Sequence, residues 1–140
     1  MKKIAALLLA LLMLFACALA EGFPVTVTDQ AGRTVTVQAV SVGGGRIRVS
    51  NLDGVDVDFT GEYNTIIVRH LDVPGELATL TREISNAKIN IANMSLVRSK
   101  RGGDVMTIFE IDNPAPADII KQLRVIPCVE NVTYYQKEVD

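Results

Sequence analysis

The segment His70-Leu71-Asp72-Val73-Pro74-Gly75-Glu76-Leu77 crowds an imidazole, two carboxyl groups and a glycine into the junction between two kinds of hydrophobic pattern. Before it, Thr65 to Leu71 is a β-rich run. After it, Leu77, Leu80, Ile84 and Ala87 recur at spacings of three and four, which gives a helix one apolar face. A glycine at the start of a helix lets a ligand approach the backbone, and the unpaired N–H groups there favour an anionic group such as an α-carboxylate. His70 and Asp72 flank that opening as partners for an ammonium or hydroxyl group. Further on, Ile89-Asn90-Ile91-Ala92-Asn93-Met94 begins another strand-like run, and Asn90 offers both a donor and an acceptor. Together these junctions make His70, Asp72, Pro74, Gly75, Glu76, Leu77, Asn90, Ile91 and Asn93 the candidate ligand-binding residues. No catalytic or metal-ligating set is expected.

Each of these residues also has a plainer explanation. A lone histidine ending a strand is commonly structural or solvent-facing. Asp72 is placed to cap the helix, Pro74-Gly75 to make a turn, and Asn90 to follow a helix end. What favours a site is the combination at one spacing.

The elements that must position these residues can be read from the hydrophobic periods. Thr65–Leu71, Ile89–Arg98, Val105–Ile111 and Cys128–Gln136 read as strands. The run containing Leu77 to Ala87 and the run Pro116–Arg124 read as helices, the second with Ile119, Ile120 and Leu123 inward and Pro116 in its first turn. The order β-α-β-β-α-β, with right-handed crossovers, predicts an α+β ferredoxin-like sandwich: a four-stranded antiparallel sheet with both helices on one face.

Upstream, Phe23 to Val37 alternates Val and Thr on either side of Asp29-Gln30-Ala31-Gly32, the pattern of a half-buried hairpin. Gly43-Gly44-Gly45 lacks the Lys-Ser/Thr and helix of a phosphate loop and reads as a flexible linker. A second hairpin turns at Leu52-Asp53-Gly54. The expected organisation is a leader at 1–20, a β-hairpin segment at 21–40, a glycine linker and hairpin at 41–63, and the sandwich at 64–140.

Composition narrows the function. The chain has 49% hydrophobic and 21% charged residues and a formal charge of −2, so general nucleic-acid binding, which needs concentrated Lys and Arg, is not expected. Lys2 and Lys3 precede an apolar run from Ile4 to Leu19 that ends in Ala18-Leu19-Ala20, the layout of a bacterial secretory signal peptide. The run is short for a bilayer span, so membrane contact is expected only through this leader, with the chain directed to the periplasm, cell envelope or exterior. Leu14-Phe15-Ala16-Cys17 is an alternative, lipoprotein-type cleavage box. Without the leader, 12 basic residues stand against 16 acidic ones, a charge of −4. Cys128 would then be the remaining cysteine, expected as a buried small hydrophobe. Two cysteines are too few for a zinc or iron-sulfur site within the chain.

His70-x-Asp72-x-Pro74-Gly75, a helix, the Ile89 to Met94 segment and a Gly102-Gly103 turn resemble an ACT domain. The longer stretch SVGGGRIRVSNLDGVDVDFTGEYNTIIVRHLDVPGELA, from Ser41, resembles the C-terminal part of the β chain of bacterial iron-sulfur L-serine dehydratases, and the likeness runs to Asp140. The opening FPVTVTDQAGRTVTV is similar to the start of bacterial binding proteins for iron-siderophore or cobalamin uptake, whose two large lobes do not fit here. The ACT resemblance implies a module that binds L-serine or a similar amino acid between two copies, with His70, Asp72 and Asn90 on the ligand. It implies a homodimer and a separate catalytic dehydratase chain carrying the 4Fe-4S cluster, with no cofactor in this chain. If residues 1–40 are foreign to the rest, the implied location is the cytoplasm. An exported binding or adaptor protein using the same fold is the alternative.

Overall fold

The computed structural model describes residues 22, 24–28, 32 and 34–137. The expected signal peptide and its lipoprotein alternative, and most of the turn at Asp29 to Gly32, lie outside the described residues. The chain divides into two compact units between Glu62 and Tyr63, the second running to Lys137.

The first unit is an antiparallel meander of β1 (Pro24–Thr28), β2 (Thr34–Gly43), β3 (Arg46–Leu52) and β4 (Val55–Thr60). The Val/Thr alternation sets its first pairing. Val25 faces Val37, and Thr26 faces Thr36 with their hydroxyls 2.9 Å apart. Asp53 and Gly54 form the two-residue turn from β3 to β4, at φ 52° and 82°, the positive angles such a hairpin requires. The glycine run corrects an expectation. Gly43 pairs with Arg46 across Gly44 and Gly45, so these glycines close a tight hairpin between β2 and β3 instead of acting as a flexible linker. The positive φ values of Gly44 and Gly45 are what a two-residue turn demands. The two upstream hairpins are therefore one continuous sheet, with Val37, Ala39, Val49 and Phe59 buried.

The second unit contains β5 (Asn64–Leu71), α1 (Glu76–Asn86), β6 (Ile91–Arg98), β7 (Asp104–Ile111), α2 (Ala117–Arg124) and β8 (Val129–Tyr135). Its sheet order is β6-β7-β5-β8, all antiparallel, so β5 and β7 are central and β6 and β8 are the edges. This is an ACT-like α+β arrangement. Register decides the faces. Ile66 opposes Phe109 and Tyr134, and Val68 opposes Thr107 and Val132. Alternation therefore puts Ile66, Val68, Phe109, Ile111 and Val132 on one face, where they meet Leu80 and Ile84 of α1 and Ile119, Ile120 and Leu123 of α2 in a single apolar cluster. Leu77 and Ala87 flank that cluster, partly buried.

Helix α1 ends in two capping bonds: the Lys88 N–H donates to the Ser85 carbonyl at 2.9 Å and the Ile89 N–H to the Ile84 carbonyl at 3.2 Å. Lys88 takes φ 58° to make them, and Ile84 and Ile89 share the core, which is the hydrophobic contact expected of this cap. Cys128 departs from expectation. It is a half-exposed free thiol, because it sits in the connection just before β8 and not under the helices.

Candidate functional site

The β5–α1 junction is built by bonds to the turn between β6 and β7. The Asp72 N–H donates to the Gly103 carbonyl at 2.8 Å. In return the Asp72 carboxylate accepts from the Gly102 N–H at 2.9 Å and from Arg98 at 3.1 Å, all three protein contacts converging on Oδ2 or the backbone. The Gly102 N–H, aided by the Arg98 charge, holds the Asp72 carboxyl below the usual carboxylate range against the opposing effect of partial desolvation. Asp72 thus does not cap α1, as its position ahead of the helix suggested. The N-cap is Gly75 at φ 89°, and no side chain caps the helix. A Cβ at Gly75 would point into open space, so glycine is required there by its backbone angle and the surface before it is clear.

His70 is 3% exposed and lies on the helix-covered face, opposite Val105. Its Nε2 is 2.9 Å from the Thr107 hydroxyl and its Nδ1 is 3.0 Å from the Leu71 carbonyl. A carbonyl only accepts, so Nδ1 carries the proton that donates to Leu71, and in the neutral ring Nε2 accepts from Thr107. Both ring nitrogens are thereby engaged within the chain.

Glu76 is the first residue of α1 and is 6% exposed, yet its Oε1 has no hydrogen-bond partner. Pro74 is exposed and Leu77 is packed on the core edge. His70, Asp72, Pro74, Gly75, Glu76 and Leu77 therefore gather at one end of the second unit's sheet, the end marked by the pairs His70–Val105 and Leu71–Asp104.

Asn90, Ile91 and Asn93 are at the other end. Ile91 opposes Ile111, six residues along β7 from Val105, or roughly 20 Å at the rise of an antiparallel strand. There the Asn90 side-chain amide donates to the Asp112 carboxylate at 2.5 Å while the Asn90 backbone carbonyl accepts from the Asp112 N–H at 3.2 Å. Between Ile91 and Asn93 the register slips by one residue at Ala92, a bulge that turns Asn93 to the face away from the helices. Asn93 there donates to Glu110 at 2.9 Å, and Glu110 is 2% exposed. Ile91 packs on the core edge. One copy of the unit consequently does not bring Asn90 to His70.

Sequence reasoning missed Arg98, whose value depends on a turn folding back onto Asp72; the signal was a basic residue at the end of a strand-like run, facing an acidic one. An open cleft lined by Glu83, Asn86, Pro116 and Asp118 separates the end of α1 from the start of α2 and holds none of the predicted site residues.

Residues 64–128 match the family model described as the ACT domain. The chain is 27% identical over 109 residues to the probable L-serine dehydratase β chain of Bacillus subtilis (strain 168), covering 78% of this chain and 49% of that protein. It is 29% identical over 84 residues to the D-3-phosphoglycerate dehydrogenase of Methanocaldococcus jannaschii, covering 60% of this chain and 16% of the relative. It is 28% identical over 74 residues to the L-serine dehydratase β chain of Peptoniphilus asaccharolyticus, covering 53% and 33%. The chain thus spans half or less of the length of these relatives. Residues 64–128 of the second unit thus match the ACT domain, and the chain is similar to serine dehydratase β chains and phosphoglycerate dehydrogenases.

Proposed function

We propose that the ACT unit senses L-serine or a closely similar small amino acid at an interface between two copies, and that binding biases the activity of a dehydratase catalytic chain. Any iron-sulfur cluster would belong to that catalytic chain. The observation that carries this reading is the separation of the two groups of polar residues to opposite ends of an edge strand. If two β6 strands pair antiparallel about a two-fold axis, the Ile91 end of one lies beside the Arg98 end of the other. Asn90 of the second copy then approaches the turn that Asp72 holds, next to Gly75 and the open start of α1. The N–H groups of the first turn beyond Glu76, which no side chain caps, suit the α-carboxylate of the ligand.

The comparisons support regulation over catalysis. The same module accompanies proteins named as a dehydratase and as a dehydrogenase, whose chemistries differ, and the shared part is half or less of each. A ligand of such a module acts by binding one state of its partner assembly better than another.

Titration calorimetry of L-serine into the purified chain, with L-cysteine, L-threonine and glycine beside it, tests the proposal together with sedimentation. The expected result is saturable binding by a dimer, lost in Asn90→Ala with the fold intact. No heat from any of these amino acids on a folded dimer would overturn the reading.

A further inference from the structure

Among the described residues, two buried side-chain polar atoms have no partner: Glu76 Oε1 and Ser95 Oγ. Ser95 opposes Ile108, on the face away from the helices. Glu76 is different in place and in kind. It is the first member of the buried stripe Glu76, Leu80 and Ile84, spaced four apart along α1. Leu80 and Ile84 of that stripe enter the core, so Glu76 is aimed the same way, toward the sheet, at the end where His70 lies. It also stands directly behind the Gly75 turn, with no side chain capping the helix and open space where a Gly75 side chain would be.

A buried carboxyl oxygen without a hydrogen bond is costly, and an aliphatic side chain would continue the Leu80–Ile84 stripe without that cost. The Arg98 guanidinium at this junction is paired with Asp72. The two nitrogens of His70 are taken by Leu71 and Thr107. The buried group with unspent acceptor capacity at this junction is therefore the Glu76 carboxyl, and the chemistry that complements it is a cation with N–H donors.

Resting on the amino-acid-sensing reading above, we propose that Glu76 is the receptor for the ligand's α-ammonium group, and that this residue, not Asp72, makes the unit selective for amino acids over hydroxy or plain carboxylic acids. The carboxylate end of the ligand is left to the helix N–H groups, and its ammonium turns inward to Glu76. Asp72 acts through Arg98 and Gly102 as a positioning residue.

The test compares L-serine binding to the full chain and to Glu76→Gln, which keeps the shape of the side chain. The expected result is a loss of affinity of tenfold or more, about 1.4 kcal/mol, with the unliganded thermal midpoint unchanged or raised, because an unpaired buried carboxyl group has been removed. A purely structural role for Glu76 would instead lower the midpoint. Serine affinity unchanged in Glu76→Gln, with wild-type binding intact, overturns this assignment and leaves the sensing reading standing. Absence of serine binding by the wild type overturns both. If the variant does not fold, the wild type titrated with 3-hydroxypropanoate, which is serine without its ammonium, decides: affinity at least tenfold weaker than for L-serine supports the assignment, and equal affinity overturns it.

Discussion

The two ends of the second unit's sheet contrast in how their polar groups are satisfied. At the Asn90 end, side chains are closed on one another: Asn90 with Asp112, and the Tyr134 hydroxyl accepting from the Ala115 N–H at 2.9 Å just before α2. At the His70 end, His70, Asp72 and Arg98 are equally committed, but the start of α1 is uncapped and Glu76 keeps an unpaired buried oxygen. One end looks finished by folding. The other is finished except at one helix start, which is where a ligand would contribute what the chain does not.

Variants at both ends test that contrast. The largest effect is expected from His70→Ala, which opens a cavity and orphans the buried Thr107 hydroxyl; chemical denaturation should show a loss of about 2–4 kcal/mol. A loss below 0.5 kcal/mol would mean that the buried His70–Thr107 bond does not organise the site end. At the opposite end, Tyr134→Phe leaves the Ala115 N–H without its acceptor and should cost about 1 kcal/mol, with L-serine affinity unchanged. A parallel fall in affinity would show that a change at this end reaches the ligand site, within its own copy or through Asn90 at the interface. Replacing Lys88, the non-glycine residue at φ 58° in the α1 cap, by Gly should raise stability by about 0.5–1 kcal/mol in the same assay.

The smallest effect concerns Asp72. Its folded-state pKa is depressed, so the bonds to Gly102 and Arg98 contribute stability that is present above the unfolded carboxyl value of about 3.9 and lost as pH falls through the lower folded value. Asp72→Asn should flatten the stability profile below about pH 4 and speed amide exchange at Gly102. An unaltered acid limb would show that the turn is held without the carboxylate.

Much of the fold was legible because hydrophobic period reports burial directly. Leu80 and Ile84 at helical spacing, and Ile66 and Val68 at strand spacing, reached the core. A run of three glycines suits a tight turn as well as a loose linker, and only the pairing of Gly43 with Arg46 separates the two. The candidate residues were legible as types, whereas their partners were not. That Asp72 bonds a turn thirty residues away, and that Asn93 faces away from the helices after a bulge at Ala92, follow from register, which local pattern does not reveal.

By itself, then, the sequence determined the order of elements, their inward faces and the presence of a glycine-opened helix beside His70 and Asp72, since each of these depends on side-chain type and spacing along one segment. Only the tertiary structure decided that His70 is closed off by Thr107, that Arg98 belongs to Asp72, that Asn90 stands a strand's length away, and that Glu76 alone is buried at the site with acceptor capacity unspent. Hydrogen-bond satisfaction is a property of atoms from distant segments meeting at about 3 Å, and no local pattern carries that distance.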